Sequence, residues 1–440
     1  MHLANIGIRS VIVERETFPR YHIGESMTGE CAPLIRDLGF AEQMRDLGHP
    51  VKLGVKVFGT GGKNAWWVPV MGRDKDWKLF EGFTWQVRRS VFDKMMLDEA
   101  VARGAVLLNG RAVRPLQSND GTVRGVQVRA PAGEMMELES EVLLDCSGQA
   151  TFLANVGGVT GPKYVGSYDK QIAIFSQVTG AIRGDDSTRD NARDNTLIFY
   201  QSKYHWAWFI PIDHDVVSVG VVSPSAYFQD KHESKRDFLV RELHELNPEL
   251  KRRLPEIKLV EDVHVIPNYS YQVKRFCGKG FICIGDAHRF VDPIFSFGLF
   301  ATLKEAALAA PVVKAYLDGS GRDQANPFAE YQLYCEKGLD VFEDVIDTFW
   351  EQPLAFAFSV HHRYTDNLID VFAGRVHERQ PSDAVVAVRK LLKRERYYDD
   401  EDIYSIPIGS RFHPERAPIW EGESDFECTE EWMSAEMLVG

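Results

Sequence analysis

The chain has 440 residues, of which 44% are hydrophobic and 26% charged, and its formal net charge is −13. This composition is typical of a globular protein and excludes the disordered, collagenous and low-complexity classes. No apolar run approaches the roughly 18 residues of a membrane-spanning helix, and an acidic chain repels phosphate backbones. We therefore expect a soluble protein with no membrane and no nucleic acid as partner.

The cysteines and the N-terminus indicate a reducing compartment. None of the six cysteines forms a C-x-x-C pair, so we expect neither a structural metal site nor a disulfide framework. The first residues, MHLANIGIRSVIVERE, lack the basic and apolar regions of a secretory signal. The cytoplasm is the simplest location.

The first strand signal is Arg9–Glu14, a β-branched run that predicts a buried parallel strand ending in a carboxylate. In dinucleotide-binding folds such an acid follows a glycine-rich turn by about 20 residues and binds a ribose. Here only Met1–Ile8 precede it, and they are typical of the last turns of a helix. We expect the first strand and its G-x-G-x-x-G turn to be missing because of a misplaced start or a trimmed sequence, rather than through real loss.

The elements that follow alternate between helical and strand patterns, with turn signals between them. Helices are predicted within 25–47 and 226–254 and over Ser90–Arg103, Phe297–Leu317 and Phe328–Phe349; strands are predicted at Val51–Phe58, Asn64–Val70 and Val106–Asn109, as a three-stranded meander in 111–145, as four strands in 171–222, and at 259–276 and 280–285.

This order predicts a mixed α/β fold, in which a doubly wound nucleotide-binding module is interleaved with an antiparallel-sheet module. We assign 1–51, 76–165 and 262–320 to the first module, 52–75 and 166–261 to the second, and 321–396 to a helical C-terminal region. The remaining 397–440 form an acidic tail, with 12 acidic residues against Arg411 and Arg416.

Three segments carry chemical signals, and each has a plainer alternative. Gly280–Ala287 predicts a strand that ends in a turn with Asp286, before a helix near Ser296 whose free N–H groups favour an anion; a plain strand–turn–helix connection is the alternative. In His205–Pro211, Trp206 and Trp208 share one strand face and form an apolar wall, unless they are simply core aromatics.

The third segment is the strand around Lys52. Strict alternation places Lys52 and Lys56 on one face, and Leu53, Val55 and Val57 on the other. A lysine in an apolar pocket presents a reactive amine, whereas an exposed surface lysine is the commoner case.

Taken together, these segments resemble the flavin-dependent halogenases over about residues 1–320. The sequence WAWFIP at 206–211 is similar to the W-x-W-x-I-P signature of that family, and Lys52-Leu-Gly54 falls where its essential lysine lies. Four more stretches match in order: FPRYHIGES at 18–26, WQVRRSVFD at 85–93, DCSG at 145–148 and GDAHRFVDPIFSFG at 285–298. The tryptophan signature and the lysine are the specific part, because flavin monooxygenases share the rest.

The resemblance implies a role for each matching residue. The cofactor-binding set comprises Glu14 at the adenosine ribose, Arg20 and Arg89 near the phosphates, Glu25 and Ser26 in the matched run, Asp286 at the ribityl chain, and Pro293 to Leu299 at the isoalloxazine ring. The halide would lie on the backbone N–H groups of Phe297 and Gly298. The catalytic set is Lys52, Trp206, Trp208 and Ser296.

The implied reaction uses FADH2, O2 and chloride or bromide to make hypohalous acid, which Lys52 relays to an electron-rich aromatic ring. No second glycine-rich nucleotide turn is evident, so a separate flavin reductase should supply FADH2. Phe295 stands where tryptophan halogenases have a glutamate, which favours a phenol or pyrrole substrate, free or tethered to a carrier protein. Two alternatives remain open: a flavin monooxygenase that hydroxylates its substrate, and an inactive remnant without the glycine turn.

Overall fold

The computed structural model describes residues 1–156, 158–161, 163–164, 171–267, 269–273, 275–377 and 381–392. The predicted acidic tail lies outside these residues. Within them, no helix is both long and apolar enough to cross a membrane.

The helices of the described residues are numbered in chain order. They are α1 His2–Asn5, α2 Cys31–Asp37, α3 Ala41–Asp46, α4 Arg89–Ala102, α5 Phe152–Asn155, α6 Ser225–Asp230, α7 Lys235–Glu245, α8 Pro248–Arg253, α9 Gly298–Leu317, α10 Ala329–Glu351, α11 Pro353–Phe358, α12 Thr365–Ala373 and α13 Asp383–Leu391.

The strands are numbered in the same way. They are β1 Val11–Glu14, β2 Val51–Lys52, β3 Gly54–Phe58, β4 Ala65–Pro69, β5 Met71–Arg73, β6 Leu79–Glu81, β7 Thr84–Trp85, β8 Val106–Asn109, β9 Arg111–Gln117, β10 Val123–Arg129, β11 Met135–Glu139, β12 Leu143–Asp145, β13 Lys163–Tyr164, β14 Gln171–Thr179, β15 Thr196–Ser202, β16 His205–Pro211, β17 Val216–Pro224, β18 Lys258–Leu259, β19 His264–Pro267, β20 Tyr271–Val273, β21 Cys277–Gly278, β22 Phe281–Cys283 and β23 Arg289–Phe290.

The largest sheet has eight strands in the order β18-β14-β17-β16-β15-β3-β4, with β19 also paired to β14. Its strands pair antiparallel except β15 and β3, which run parallel. The alternating sequence of β16 gives the sheet two apolar faces. Trp206, Trp208 and Ile210 lie in one core cluster, whereas Ala207 and Phe209 lie in another.

Two short parallel pairs form the other part of the fold. β1 pairs with β8, β12 pairs with β22, and β9, β10 and β11 form the predicted meander. The mixed α/β prediction is confirmed, and β8 and α4 match their predicted bounds to within one residue. However, β1 is not buried as expected: the side chain of Val11 is 53% exposed, because among the described strands β1 pairs with β8 alone.

Helices α9 to α12 cover the face of the large sheet that carries the tryptophans. The start of α9 packs on α10, where the rings of Phe297 and Phe342 stack at 3.9 Å between centroids. Phe295 packs edge-on against Phe349 of α10 and Phe372 of α12. This packing places the start of α9 and the end of α12 over the sheet face that carries the tryptophans.

The absence of a side chain at Gly220 on β17 makes room for Trp208 on the neighbouring strand. The two residues are directly paired across the strands. A Cβ atom at Gly220 would lie 2.2 Å from the Trp208 ring and 2.6 Å from Cβ of Phe175. Both neighbours are buried, so neither can move aside freely.

Gly220→Ala should therefore destabilise the protein by about 1–3 kcal/mol, because the added methyl group overpacks the core beneath Trp208. Urea unfolding followed by tryptophan fluorescence measures this change. Gly61→Ala is the matched control, since no atom lies within 4 Å of the added methyl group there. Equal effects of the two substitutions would contradict the predicted overpacking.

Candidate active site

Lys52 points into the protein interior because the strand that carries it is interrupted at Leu53. The backbone N–H of Leu53 donates to Oδ1 of Asn195 at 3.0 Å, between β2 and β3. The break places Lys52 in one pocket with Val55 and Val57. Lys56 instead forms an ion pair with Asp190 at 2.7 Å. The prediction that the two lysines share a face is therefore wrong, because it assumed an unbroken strand.

The pocket around Lys52 is small, apolar and partly open to the surface. Five separate segments contribute to it, so that no single motif encodes it. Its lining residues are Thr28, Gly29, Lys52, Val55, Val57, Trp66, Val68, Pro69, Val70, Phe295, Phe372 and Ala373. Lys52 is the one ionisable side chain among them. Such a pocket suits a small aromatic ring held beside an amine.

The amine of Lys52 is deeply buried. The side chain is 2% exposed, and Nζ lies 2.8 Å from both Ser26 Oγ and the carbonyl oxygen of Met27. Burial lowers its pKa to about 7, and the nearby Cys31 opposes this shift only weakly. Burial also raises the pKa of the Cys31 thiol to about 11. A large share of the Lys52 amine is therefore uncharged near neutral pH, which is the form that acts as a nucleophile.

Trp206 and Trp208 lie side by side beneath this region, with ring centroids 5.9 Å apart. Both are buried, and they belong to the same apolar cluster as the pocket residues Val57 and Phe295. Trp208 Nε1 donates to Ser218 Oγ at 3.2 Å, whereas Trp206 Nε1 has no acceptor among the described residues. The predicted shared face of the two tryptophans is confirmed.

The segment before α9 forms a tight turn. Asp292 accepts a hydrogen bond from the backbone N–H of Ile294 at 2.9 Å, and Ser296 adopts a left-handed conformation with φ of 61°. The helix begins at Gly298, so the N–H groups of Phe297 and Gly298 have no acceptor within it. A Cβ atom on Gly298 would meet Asp286 Oδ1 only at 4.0 Å. The turn therefore leaves space in front of the helix N-terminus.

The turn that carries Asp286 is held by a buried pair that sequence reasoning missed. Glu305 on α9 accepts from the backbone N–H of Gly285 at 2.6 Å and contacts His288 Nε2 at 3.0 Å. Burial raises the pKa of Asp286 itself to about 6, and no hydrogen bond from a described residue offsets it. The sequence gives no signal for this pair, because Glu305 lies within an apolar helix.

The predicted phosphate ligands, Arg20 and Arg89, come together at Asp93. Arg20 and Arg89 both pair with Asp93, at 3.3 and 2.6 Å, and Arg20 also pairs with Glu16 at 3.4 Å. Glu14 lies at the end of β1, where one carboxylate oxygen accepts from the backbone N–H of Glu16 at 2.8 Å.

Glu25 lies near Arg89, whose positive charge acts to lower the pKa of the Glu25 carboxyl and which donates to the carbonyl oxygen of the adjacent Gly24 at 3.0 Å. Ser26 contacts Lys52 directly, as described above. Glu25 accepts from Gln177 Nε2 at 3.3 Å, and burial raises its pKa to about 7, although hydrogen bonds from Ser218 and Gln177 oppose this shift. The structure thus places the serine of this run at the amine, although the sequence grouped it with the cofactor ligands.

The described residues fit an FAD molecule. Asp286 presents a carboxylate without a donor beside an open helix start, which suits a ribityl hydroxyl. The arginine pair on Asp93 suits a phosphate, and Glu14 ends a parallel strand as a ribose ligand does. Among the described residues, no group of three metal-ligating side chains occurs.

Comparison with known proteins gives a family match over most of the chain. Residues 78–417 match the family model described as tryptophan halogenase. A 1H-pyrrole-2-carbonyl peptidyl-carrier-protein brominase of Pseudoalteromonas luteoviolacea is 35% identical over 356 residues, which cover 81% of this chain and 83% of the relative. The corresponding chlorinase of Pseudomonas fluorescens is 25% identical over 407 residues, with 89% of each chain covered.

Solved structures of flavin-dependent halogenases also resemble this chain. The flavin-dependent brominase Bmp2 superposes with a TM-score of 0.81 at 34% identity, over 88% of this chain and 93% of that chain. The myxobacterial chondrochloren halogenase CndH shares the fold at 22% identity, with a TM-score of 0.72 over 89% of this chain and 92% of that chain.

Burial of Lys52 makes a prediction for stability. The pKa of the amine is near 7 in the folded chain and near 10.5 when exposed, so the unfolded chain binds the extra proton between these values. Stability of the native protein should then rise with pH across this window. Lys52→Met should stabilise the protein by a few kcal/mol at pH of about 6 and by much less at about 10.

Urea unfolding at a series of pH values measures this difference. Lys56→Met, which removes a partly exposed lysine from the next strand, β3, controls for the loss of a lysine as such. A stability gain of Lys52→Met that stays constant from neutral to alkaline pH would contradict a buried amine with a lowered pKa.

Proposed function

This chain belongs to the flavin-dependent halogenase family, and from that premise we propose that it halogenates a pyrrole ring presented on a carrier protein. Two relatives, 35% and 25% identical, act on a pyrrole-2-carbonyl group carried in this way, one as a brominase and the other as a chlorinase. The open pocket is compatible with a small ring that enters on the end of a tether.

The observation that carries the proposal is the amine of Lys52 in an apolar pocket with no carboxylate in its lining. An uncharged amine reacts with hypohalous acid so that nitrogen binds the halogen and water leaves with the hydroxyl group and one amine proton. The aromatic ring then takes the halogen from nitrogen and returns a proton to it. Both steps keep the lysine in its original form at the end of the cycle.

The other residues position and separate the reactants. The family cofactor FAD, when bound in reduced form, supplies two of the four electrons that O2 accepts, and the halide supplies the other two. We assign Asp286, Glu14, Arg20 and Arg89 to hold the cofactor, and Pro293 to Leu299 to face its ring. The N–H groups of Phe297 and Gly298 at the helix start would hold the halide. Trp206 and Trp208 would keep the substrate ring away from the flavin.

Phe295 supports an activated ring as substrate. It lines the pocket with an apolar side chain where a tryptophan halogenase has a carboxylate. A pyrrole delocalises the positive charge of its halogenated intermediate onto its own nitrogen. It therefore needs no carboxylate beside the ring.

Lys52→Met should abolish halogenation while FAD binding is retained, because the residue contacts only the pocket side of the site. Mass spectrometry of a pyrrolyl carrier protein incubated with the enzyme, a flavin reductase, FAD, NADH and bromide or chloride measures the halogen isotope pattern. Lys56→Met should keep activity. A hydroxylated product, full activity of Lys52→Met, or turnover of tryptophan but of no pyrrole or phenol would each refute the proposal.

We also propose that a separate flavin reductase supplies the reduced cofactor. The purified protein, mixed with FAD and NADH or NADPH without oxygen, should leave the visible absorbance of oxidised FAD unchanged. Addition of an unrelated flavin reductase should bleach it and, with oxygen and halide, start halogenation. Bleaching by the purified protein alone would overturn this partner assignment.

A further inference from the structure

A continuous chain of buried hydrogen bonds ends at the amine of Lys52. Gln86 Nε2 lies 2.7 Å from Thr196 Oγ1, Thr196 Oγ1 lies 2.9 Å from Ser26 Oγ, and Ser26 Oγ lies 2.8 Å from Nζ. The side chains of all four residues are at most 5% exposed. The members come from four separate regions of the sequence that meet only in the fold.

The direction of this chain is fixed at its far end. Gln86 Nε2 also lies 3.2 Å from the carbonyl oxygen of Asp194, which can only accept a hydrogen bond. The amide nitrogen of Gln86, and not its oxygen, therefore faces Thr196 and donates to its hydroxyl oxygen. Either hydroxyl can donate across the contact of Thr196 and Ser26, but within this chain both hydroxyl hydrogens find an acceptor only if Thr196 donates to Ser26 and Ser26 donates to Nζ.

Only the uncharged amine completes this pattern. As a neutral amine, Nζ accepts from Ser26 with its lone pair, donates one hydrogen to the Met27 carbonyl, and keeps one hydrogen towards the pocket. As an ammonium group it has no lone pair, so one hydroxyl hydrogen of the chain loses its acceptor. A buried donor without an acceptor is unfavourable, and the chain therefore favours the neutral form.

We propose that Ser26 is a positioning residue that, oriented by Gln86 and Thr196, holds Lys52 as an uncharged amine aimed into the pocket. Ser26 loses its hydrogen bond to Nζ when Nζ binds the halogen, so this chain of hydrogen bonds acts on the amine before it reacts. The inference rests on the proposed function for the use of the amine, but the state of the amine is measured independently of halogenation.

The surroundings of Lys52 offer no competing charge among the described residues. From α2 it is faced by the Cys31 thiol, and Glu30 on the same turn is paired with Arg375. Thr84 of β7, Thr196 of β15 and Phe295 before α9 do not ionise near neutral pH. Hydrogen bonding from Ser26 therefore adds to desolvation as a second reason for the uncharged state.

Competitive acetylation of the full chain with acetic anhydride over a range of pH, read by peptide mass spectrometry, gives the pKa of Lys52 without flavin or substrate. Ser26→Ala removes the donor and should raise this pKa by about one unit, which lowers the reactive amine about tenfold below the midpoint. Ser26→Thr keeps the hydroxyl and should restore the native value. Exposed Lys94 is an internal reference in every sample.

The direction in which Ser26→Ala shifts the pKa of Lys52 tests the proposal. If Ser26 only accepted from an ammonium group, Ser26→Ala would lower the pKa, and if Ser26 had a merely structural role the pKa would not move; both results overturn the proposal. Thr84→Val is the matched control, because it removes a buried hydroxyl without a hydrogen-bond partner in the part of the chain that the structure describes. It should leave the pKa of Lys52 unchanged.

A second variant covers the case in which Ser26→Ala does not fold. Gln86→Glu places an acceptor at the far end, reverses the chain, and should raise the pKa of Lys52. Adding Thr196→Val interrupts the chain and should remove this rise. If the pKa of Lys52 stays raised in the variant that combines Gln86→Glu with Thr196→Val, the charge of the carboxylate alone causes the rise, and the proposed hydrogen-bond chain is contradicted. The absence of any rise in Gln86→Glu would contradict it as well.

Discussion

The burial of one amine is the constraint on which the rest of the site depends. Lys52 is removed from water without a carboxylate in its pocket, which is unfavourable for a charged lysine and therefore favours the neutral form. Such a position is maintained only where the surrounding packing is strong enough to hold it. The large sheet on one side and the helices α9 to α12 on the other supply that packing. The burial of Lys52 both makes its amine reactive and lowers the stability of the fold at this residue.

The two halves of the site meet at the start of α9. Phe295 lines the pocket, whereas Gly298 at the helix start faces Asp286, whose turn is held by Glu305. A short stretch of backbone thus belongs to the substrate side and the cofactor side at once. Contacts on both sides fix the backbone of this segment, which allows Ser296 to keep its left-handed conformation.

Local patterns in the sequence were sufficient for most elements but not for the site. The strand Val106–Asn109 and the face shared by Trp206 and Trp208 follow from short-range alternation, and the structure confirms both. The orientation of Lys52 was predicted wrongly, because the break at Leu53 depends on Asn195, which is 142 residues away. The contact between Ser26 and Thr196 spans 170 residues and has no local signature.

The pairing of Gly220 with Trp208 restricts how the two tryptophans of β16 can change during evolution. With tryptophan present, every side chain larger than hydrogen at Gly220 meets the indole ring. A smaller residue in place of Trp208 removes this contact, but Cβ of Phe175 still lies 2.6 Å from the added Cβ atom. A side chain at Gly220 therefore requires changes at both neighbours, and a lineage that has filled this space cannot regain a tryptophan at position 208 by a single substitution.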